Sequence, residues 1–140
     1  MDWRSRVAHE ALRQVREEFN RHPAITSVVG LPHDTLHTEL RAEVEPLYIG
    51  ANAPRGTLTV RWLVSEPGER PRFVFHYADE SGFDCGWHRH EQDHVDGWAH
   101  YQERSSAGDA YSHEAFVFES VEPARVVWDV LEDLCTKLQQ

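Results

Sequence analysis

The chain has 140 residues, 40 % of them hydrophobic and 11 % aromatic, which supplies enough apolar side chain for one packed domain and excludes a globally disordered chain. Fourteen Lys and Arg stand against 24 Asp and Glu, and the resulting net charge of −10 excludes a generally cationic surface, so any RNA contact must be local. No apolar run approaches the roughly 20 residues of a membrane helix, and the opening "MDWRSRVAHE" is charged where a signal peptide turns apolar; the expected location is the cytoplasm, with no membrane partner.

Lys137 is the only lysine, and an acidic, lysine-poor chain points to a salt-rich cytoplasm and a halophilic source. Cys85 and Cys135 are too few for a disulfide framework, so reduced thiols are expected.

In chain order, residues 2–20 place Trp3, Val7, Leu12 (or Ala11), Val15 and Phe19 about one helical turn apart with charges between them, the pattern of an amphipathic helix. Its Arg4, Arg6, Arg13, Arg16 and Arg21 alternate with Asp2, Glu10, Glu17 and Glu18, which reads as a salt-bridged surface rather than a nucleic-acid groove. Pro23 ends the helix and a β-rich stretch follows. In "TLHTELRAEV", Leu36, Thr38, Leu40, Ala42 and Val44 share one face while His37, Glu39, Arg41 and Glu43 share the other, the period of a half-buried strand.

"TLTVRWLVS" and "RFVFHYA" alternate in the same way around the turn cluster "EPGERP", so residues 57–78 read as a hairpin. "FDCGWH" is a shorter strand entering a histidine-rich segment. "ERSSAGDAYS", residues 103–112, has the small polar composition of a loop, and "FVFES" reads as a last strand. In "SVEPARVVWDVLEDLCTKL", Ser120 is a candidate cap, Pro123 a first-turn residue, and Val127, Val130, Leu131, Leu134 and Leu138 an apolar stripe. Together these predict a single α+β domain over residues 1–140, with a mainly antiparallel sheet of four to six strands flanked by an N-terminal and a C-terminal helix.

"GWHRHEQDHVDGWAH", residues 86–100, carries the chemistry. As a metal site it offers Cys85, His88, His90, His94 and His100, with C-x2-H (85–88) and H-x3-H (90–94) intervals that zinc sites use. The two pairs are separated by Arg89 alone, so a three-ligand open site (His88, His90, His94) fits better than a closed finger. As an acid–base site it offers His90, His94 and His100, because imidazole both takes and gives a proton near neutrality, with Arg89 to hold developing phosphorane charge. On a regular strand His88 and His90 share a side and Arg89 points away. The plain alternative is a solvated loop pinned by two tryptophans. His76, on the polar side of "RFVFHYA", is the best candidate from outside the segment, and Cys85 reads as a buried apolar residue since nothing nearby would activate its thiol.

The string "FDCGWHRHEQDHVDGWAHYQ" resembles the archaeal branch of the TumE-like toxin family in Cys85, Trp87, Arg89, His90, His94, His100 and Tyr101. The resemblance extends to Arg61-Trp62, His76-Tyr77 and the closing "VVWDVLEDL". His88 stands where the family pattern often has an acid, and Gln102 where it has a second histidine. The resemblance implies the toxin of a two-gene toxin–antitoxin module, RNA as a target and a helix-turn-helix antitoxin as partner. Joined to the acid–base reading, it makes a metal-independent ribonuclease the leading expectation, with His90 and His94 as the acid–base couple, Arg89 stabilising charge, His76 and His100 assisting, and no cofactor. The alternative is a small zinc-binding interaction module without catalysis, using His88, His90, His94 and Cys85.

Overall fold

The computed structural model describes residues 2–64, 68, 70–90 and 99–140. A first helix, α1 (Trp3–Phe19), starts where Asp2 accepts a hydrogen bond from the Ser5 amide at 2.8 Å, which satisfies one of the unpaired N–H groups of the first turn. Ala11, Leu12, Val15 and Phe19 form its buried stripe, while Trp3 is 41 % exposed. The arginines are paired as the charge pattern predicts: Arg13 with Glu10 and Glu17, Arg21 with Glu18, and Arg16 with Asp34 across to the first hairpin.

Among the described residues seven antiparallel strands follow, one more than the upper end of the expected range: β1 (Ile25–His33), β2 (Leu36–Val44), β3 (Gly56–Leu63), β4 (Arg72–Asp79), β5 (Asp84–Arg89), β6 (Ala99–Arg104) and β7 (Ser112–Ala115). They are hydrogen-bonded in sequence order, so the sheet is a simple meander. A 3-10 turn (Pro46–Ile49) joins β2 to β3, and the second helix, α2 (Pro123–Leu138), closes the described chain.

The period-2 patterns explain the layering. Leu40, Ala42 and Val44 of β2, Leu58, Val60 and Trp62 of β3, Phe73, Phe75 and Tyr77 of β4, and Cys85 and Trp87 of β5 all turn to one face, where they are buried with the stripes of α1 and α2. Two indole N–H groups are satisfied at this layer: Trp87 Nε1 donates to Asp133 of α2 at 2.9 Å, and Trp128 Nε1 of α2 donates to Glu18 of α1 at 3.0 Å. The Lys137 ammonium lies 4.5 Å from the centre of the Tyr101 ring. Both helices therefore cover the same side of the sheet and leave its other side for polar residues.

Four local expectations change. Residues 112–115 form β7, while 116–120 carry no strand; Phe116 and Phe118 pack against the core edge, which explains their alternation with polar residues. Glu103 and Arg104 belong to β6, because they pair with Cys85 and Asp84, so the loop begins only after them. Ser120 accepts from the Glu122 amide and α2 starts after Glu122, which makes no side-chain cap.

The fourth change concerns His37. Leu31 pairs with Glu39 and Pro32 with His37, so Thr38 is an extra residue in β2, and the alternation reverses there. Leu36 becomes 53 % exposed, and His37 turns inward to 7 % exposure among the helix-side groups.

Phe75 sits at the middle of the buried layer with no exposed surface. Phe75→Ala is expected to cost about 3–5 kcal/mol, read as a lower urea midpoint in equilibrium unfolding.

Candidate functional site

Residues directly opposite one another on an antiparallel ladder share a face. In the β4–β5 pair, Val74 lies opposite His88, His76 opposite Gly86 and Ala78 opposite Asp84. In the β5–β6 pair, His88 lies opposite His100 and Asp84 opposite Arg104; in the β6–β7 pair, Gln102 lies opposite His113. Because Phe73, Phe75, Tyr77, Cys85 and Trp87 face the helices, the intervening positions face away from them. His76, His88, His90, His100 and His113, drawn from β4 to β7, therefore gather on the side of the sheet without helices. Their rings are close: the centres are 4.8 Å apart for His88 and His100, 5.4 Å for His88 and His90, 5.9 Å for His90 and His100, and 5.8 Å for His100 and His113.

Asp84 anchors one end of this face. Asp84 is 6 % exposed, and its carboxylate accepts from Arg104 Nε at 2.6 Å and from the Tyr111 hydroxyl at 2.5 Å. His76 Nε2 lies 3.3 Å from the same carboxylate. A buried carboxylate carries a large desolvation cost unless donors surround it, and here a guanidinium, a phenol and an imidazole do so. The Arg104 guanidinium also lies 4.5 Å from the Tyr111 ring centre, which fixes both.

An imidazole that donates through Nε2 to a carboxylate keeps its lone pair on Nδ1. In His76 that nitrogen points over Gly86. A Cβ at Gly86 would sit 3.1 Å from His76 Nδ1 and 2.8 Å from His88 Nε2. The bare glycine backbone thus makes the floor of a small recess with a ring nitrogen on either side. Burial pulls the His76 pKa below the ordinary histidine value, against the opposing pull of Asp84 and with a smaller contribution from Arg104. His88 is pushed down to about 4, first by burial and then by the neighbouring imidazoles, and neither of its ring nitrogens meets a hydrogen-bond partner among the described residues. Both rings are neutral at pH 7, with lone pairs available to take a proton.

Of the residues singled out from the sequence, His76, His88, His90 and His100 come together on this face. Arg89 does not join them: it lies on the helix side, 7 % exposed, and donates to the Pro71 carbonyl at 2.6 Å. Cys85 is also on the helix side, fully buried, and burial raises its thiol to about 12. His94 falls outside the described residues. The face thus holds His88 and His90 of the zinc set but not Cys85, and among the described residues no group of three or more His, Cys, Asp or Glu side chains is arranged to hold a metal ion.

Asp84, Arg104, Tyr111 and His113 were not anticipated. Asp84 had one available signal, since it falls two and four residues before Gly86 and His88 and so shares their face on any regular strand. The other three lie in the 103–112 stretch, or just past it, and reach the site only through cross-strand pairing.

The chain matches no protein-family model, no curated protein and no solved structure. Among the described residues, no helix is long and apolar enough to cross a membrane.

Two titrations check the electrostatics. Asp84→Asn removes the group that raises the His76 pKa, so the His76 midpoint is expected to fall further in an NMR pH titration. The His88 pKa is about 4 in the folded chain, against an ordinary 6.5. The unfolded state therefore binds its proton first as pH falls. The stability that comes from keeping His88 neutral is present above about pH 6.5 and is lost progressively toward about pH 4. His88→Gln should flatten this part of the curve of unfolding free energy against pH.

Proposed function

We propose that this chain is the toxin component of a toxin–antitoxin pair and that its histidine face cleaves RNA by metal-independent acid–base chemistry. The observation that carries the chemical half is His76, tied through Nε2 to buried Asp84 and presenting Nδ1 beside His88 over the bare backbone of Gly86. The toxin role and its helix-turn-helix antitoxin partner are supported by the resemblance in Cys85, Trp87, Arg89, His90, His94, His100 and Tyr101.

Cleavage without metal needs three functions. A base takes the proton of the 2′-hydroxyl as that oxygen attacks phosphorus; an acid protonates the 5′-oxygen as its bond to phosphorus breaks; a cation offsets the charge gathering on the non-bridging oxygens. His76 suits the first role, because its lone pair is aimed and the imidazolium formed there would be stabilised by Asp84. This is the division of labour of a histidine oriented by a carboxylate. His90, half-buried at the rim, is the proposed donor to the leaving oxygen; His94, its expected acid–base partner, lies outside the described residues. Arg104 replaces Arg89 as the proposed cation, since it shares the histidine face while Arg89 is held on the other side. His100, with no exposed surface, supports the rings around it rather than meeting substrate.

The chain's net charge of −10 opposes RNA binding at long range, and a salt-rich cytoplasm shortens that repulsion to a few ångströms. Binding would then depend on contacts within the recess and on the bases.

The purified protein should cleave a structured RNA equally well with and without chelator. His76→Gln and His90→Gln should each lower the rate by about 10²–10⁴-fold. Wild-type rates in both variants, or cleavage abolished by chelator, would sink the proposed chemistry. Growth inhibition on expression, relieved by co-expressing a helix-turn-helix protein where one is encoded beside this chain, tests the toxin role separately.

A further inference from the structure

On the helix side of the sheet, α1 and the ends of β2 and β3 enclose a cleft of about 590 Å³ whose walls include Ser5, His9, Leu36, His37, Trp62 and Val64. Two imidazoles stand in it. His9 of α1 and His37 of β2 have ring centres 4.5 Å apart and planes tilted by 36°. His37 is 7 % exposed. The Nε2 atoms of both rings are shut off from water, and neither has a hydrogen-bond partner among the described residues. Buried polar atoms in folded proteins are nearly always paired, so two adjacent orphans of the same chemistry call for a common explanation.

Three local features place the His37 ring. The extra residue at Thr38 turns the side chain from the polar face to the helix side. Gly30 makes room for it, because a Cβ there would lie 2.7 Å from the ring. The Asp34 carbonyl lies 3.2 Å from Nδ1; a carbonyl only accepts, so Nδ1 carries the proton and Nε2 the lone pair. Asp34 is itself fixed by the Gly30 amide at 2.8 Å and by Arg16 at 2.7 Å.

We propose that His9 and His37 form a two-histidine site for a borderline transition-metal dication of the zinc class, bound through Nε2 of both rings. Two imidazoles ligating one ion at about 2.0–2.1 Å and the tetrahedral angle have ring centres about 5 Å apart; the 4.5 Å found here is slightly shorter, so a small outward turn of the rings would seat the ion. With Nδ1 of His37 holding its proton against the Asp34 carbonyl, the Nε2 lone pair is the atom left to meet such an ion. An anion would require N–H donors, and the free nitrogen of His37 offers a lone pair. Asp2 also lines the cleft, but its Oδ1 is engaged by the Ser5 amide. Among the described residues no third His, Cys, Asp or Glu completes the set, so the pair would supply two positions, and the others would face the cleft, where water or a group from a partner can reach the ion but not the two nitrogens.

This site does not depend on the ribonuclease reading: chelation would empty it while leaving cleavage on the opposite face intact. The test is a Zn²⁺ titration of the full chain, followed by the ring ¹⁵N resonances of its histidines and by Tm. The first equivalent should move Nε2 of His9 and His37 together and raise Tm. His37→Gln and His9→Gln should each weaken this step about tenfold or more, while His88→Gln leaves it unchanged. His9→Gln, at a half-buried helix position, decides the matter if His37→Gln does not fold. The inference is overturned if the first equivalent moves only His76, His88, His90, His100 or His113, or if His9→Gln binds Zn²⁺ as tightly as the wild type.

Discussion

The β4–β5 register, with His76 opposite Gly86 and Ala78 opposite Asp84, is the constraint on which the histidine face depends. A slip of one residue in β5 would send Asp84, Gly86 and His88 to the helix side and bring Cys85, Trp87 and Arg89 out. Such a slip is opposed by the apolar layer itself, because Trp87 and Cys85 are fully buried there and the Trp87 indole is bonded to Asp133 of α2. The packing that stabilises the domain is thus the same packing that aims the polar groups. The helices contribute no residue to the face they position.

Within that face, buried Asp84 organises its neighbours. The carboxylate of a residue 6 % exposed is tolerable only with several donors, and each donor is thereby held in place: Arg104 from β6, Tyr111 just before β7, and His76 from β4. Four segments of chain are fixed by one charge. His88, beyond it, experiences the opposite pressure, since burial and then the neighbouring imidazoles keep it neutral. Asp84 at one end favours a proton on His76, although burial still outweighs it, whereas no such charge offsets the burial of His88.

The helix side carries a second histidine pair by a different route. The outward-facing histidines follow from regular alternation, whereas His37 reaches His9 through a bulge that breaks it. Gly30 and Gly86 have the same local role in the two places, each leaving backbone bare where an imidazole lies flat across the sheet. In both cases a side chain larger than hydrogen would displace the ring that defines the site.

The sequence by itself determined the helices, most of the strands and the division of each strand into an apolar and a polar side, because periods of 3.6 and 2 are local properties of the chain. It also placed His88 and His90 on one side and Arg89 on the other. It misplaced β7 and His37, where a partly buried loop ("FVF") imitates a strand and a single extra residue reverses the parity. Which polar sides meet is not a local property. Asp84 and Arg104 are twenty positions apart and Tyr111 lies seven further on; their convergence is settled by strand order and register, which the buried layer selects. Only the tertiary structure could decide that His76, His88 and Asp84 face one recess, because that depends on which backbones are hydrogen-bonded side by side rather than on the residues each one carries.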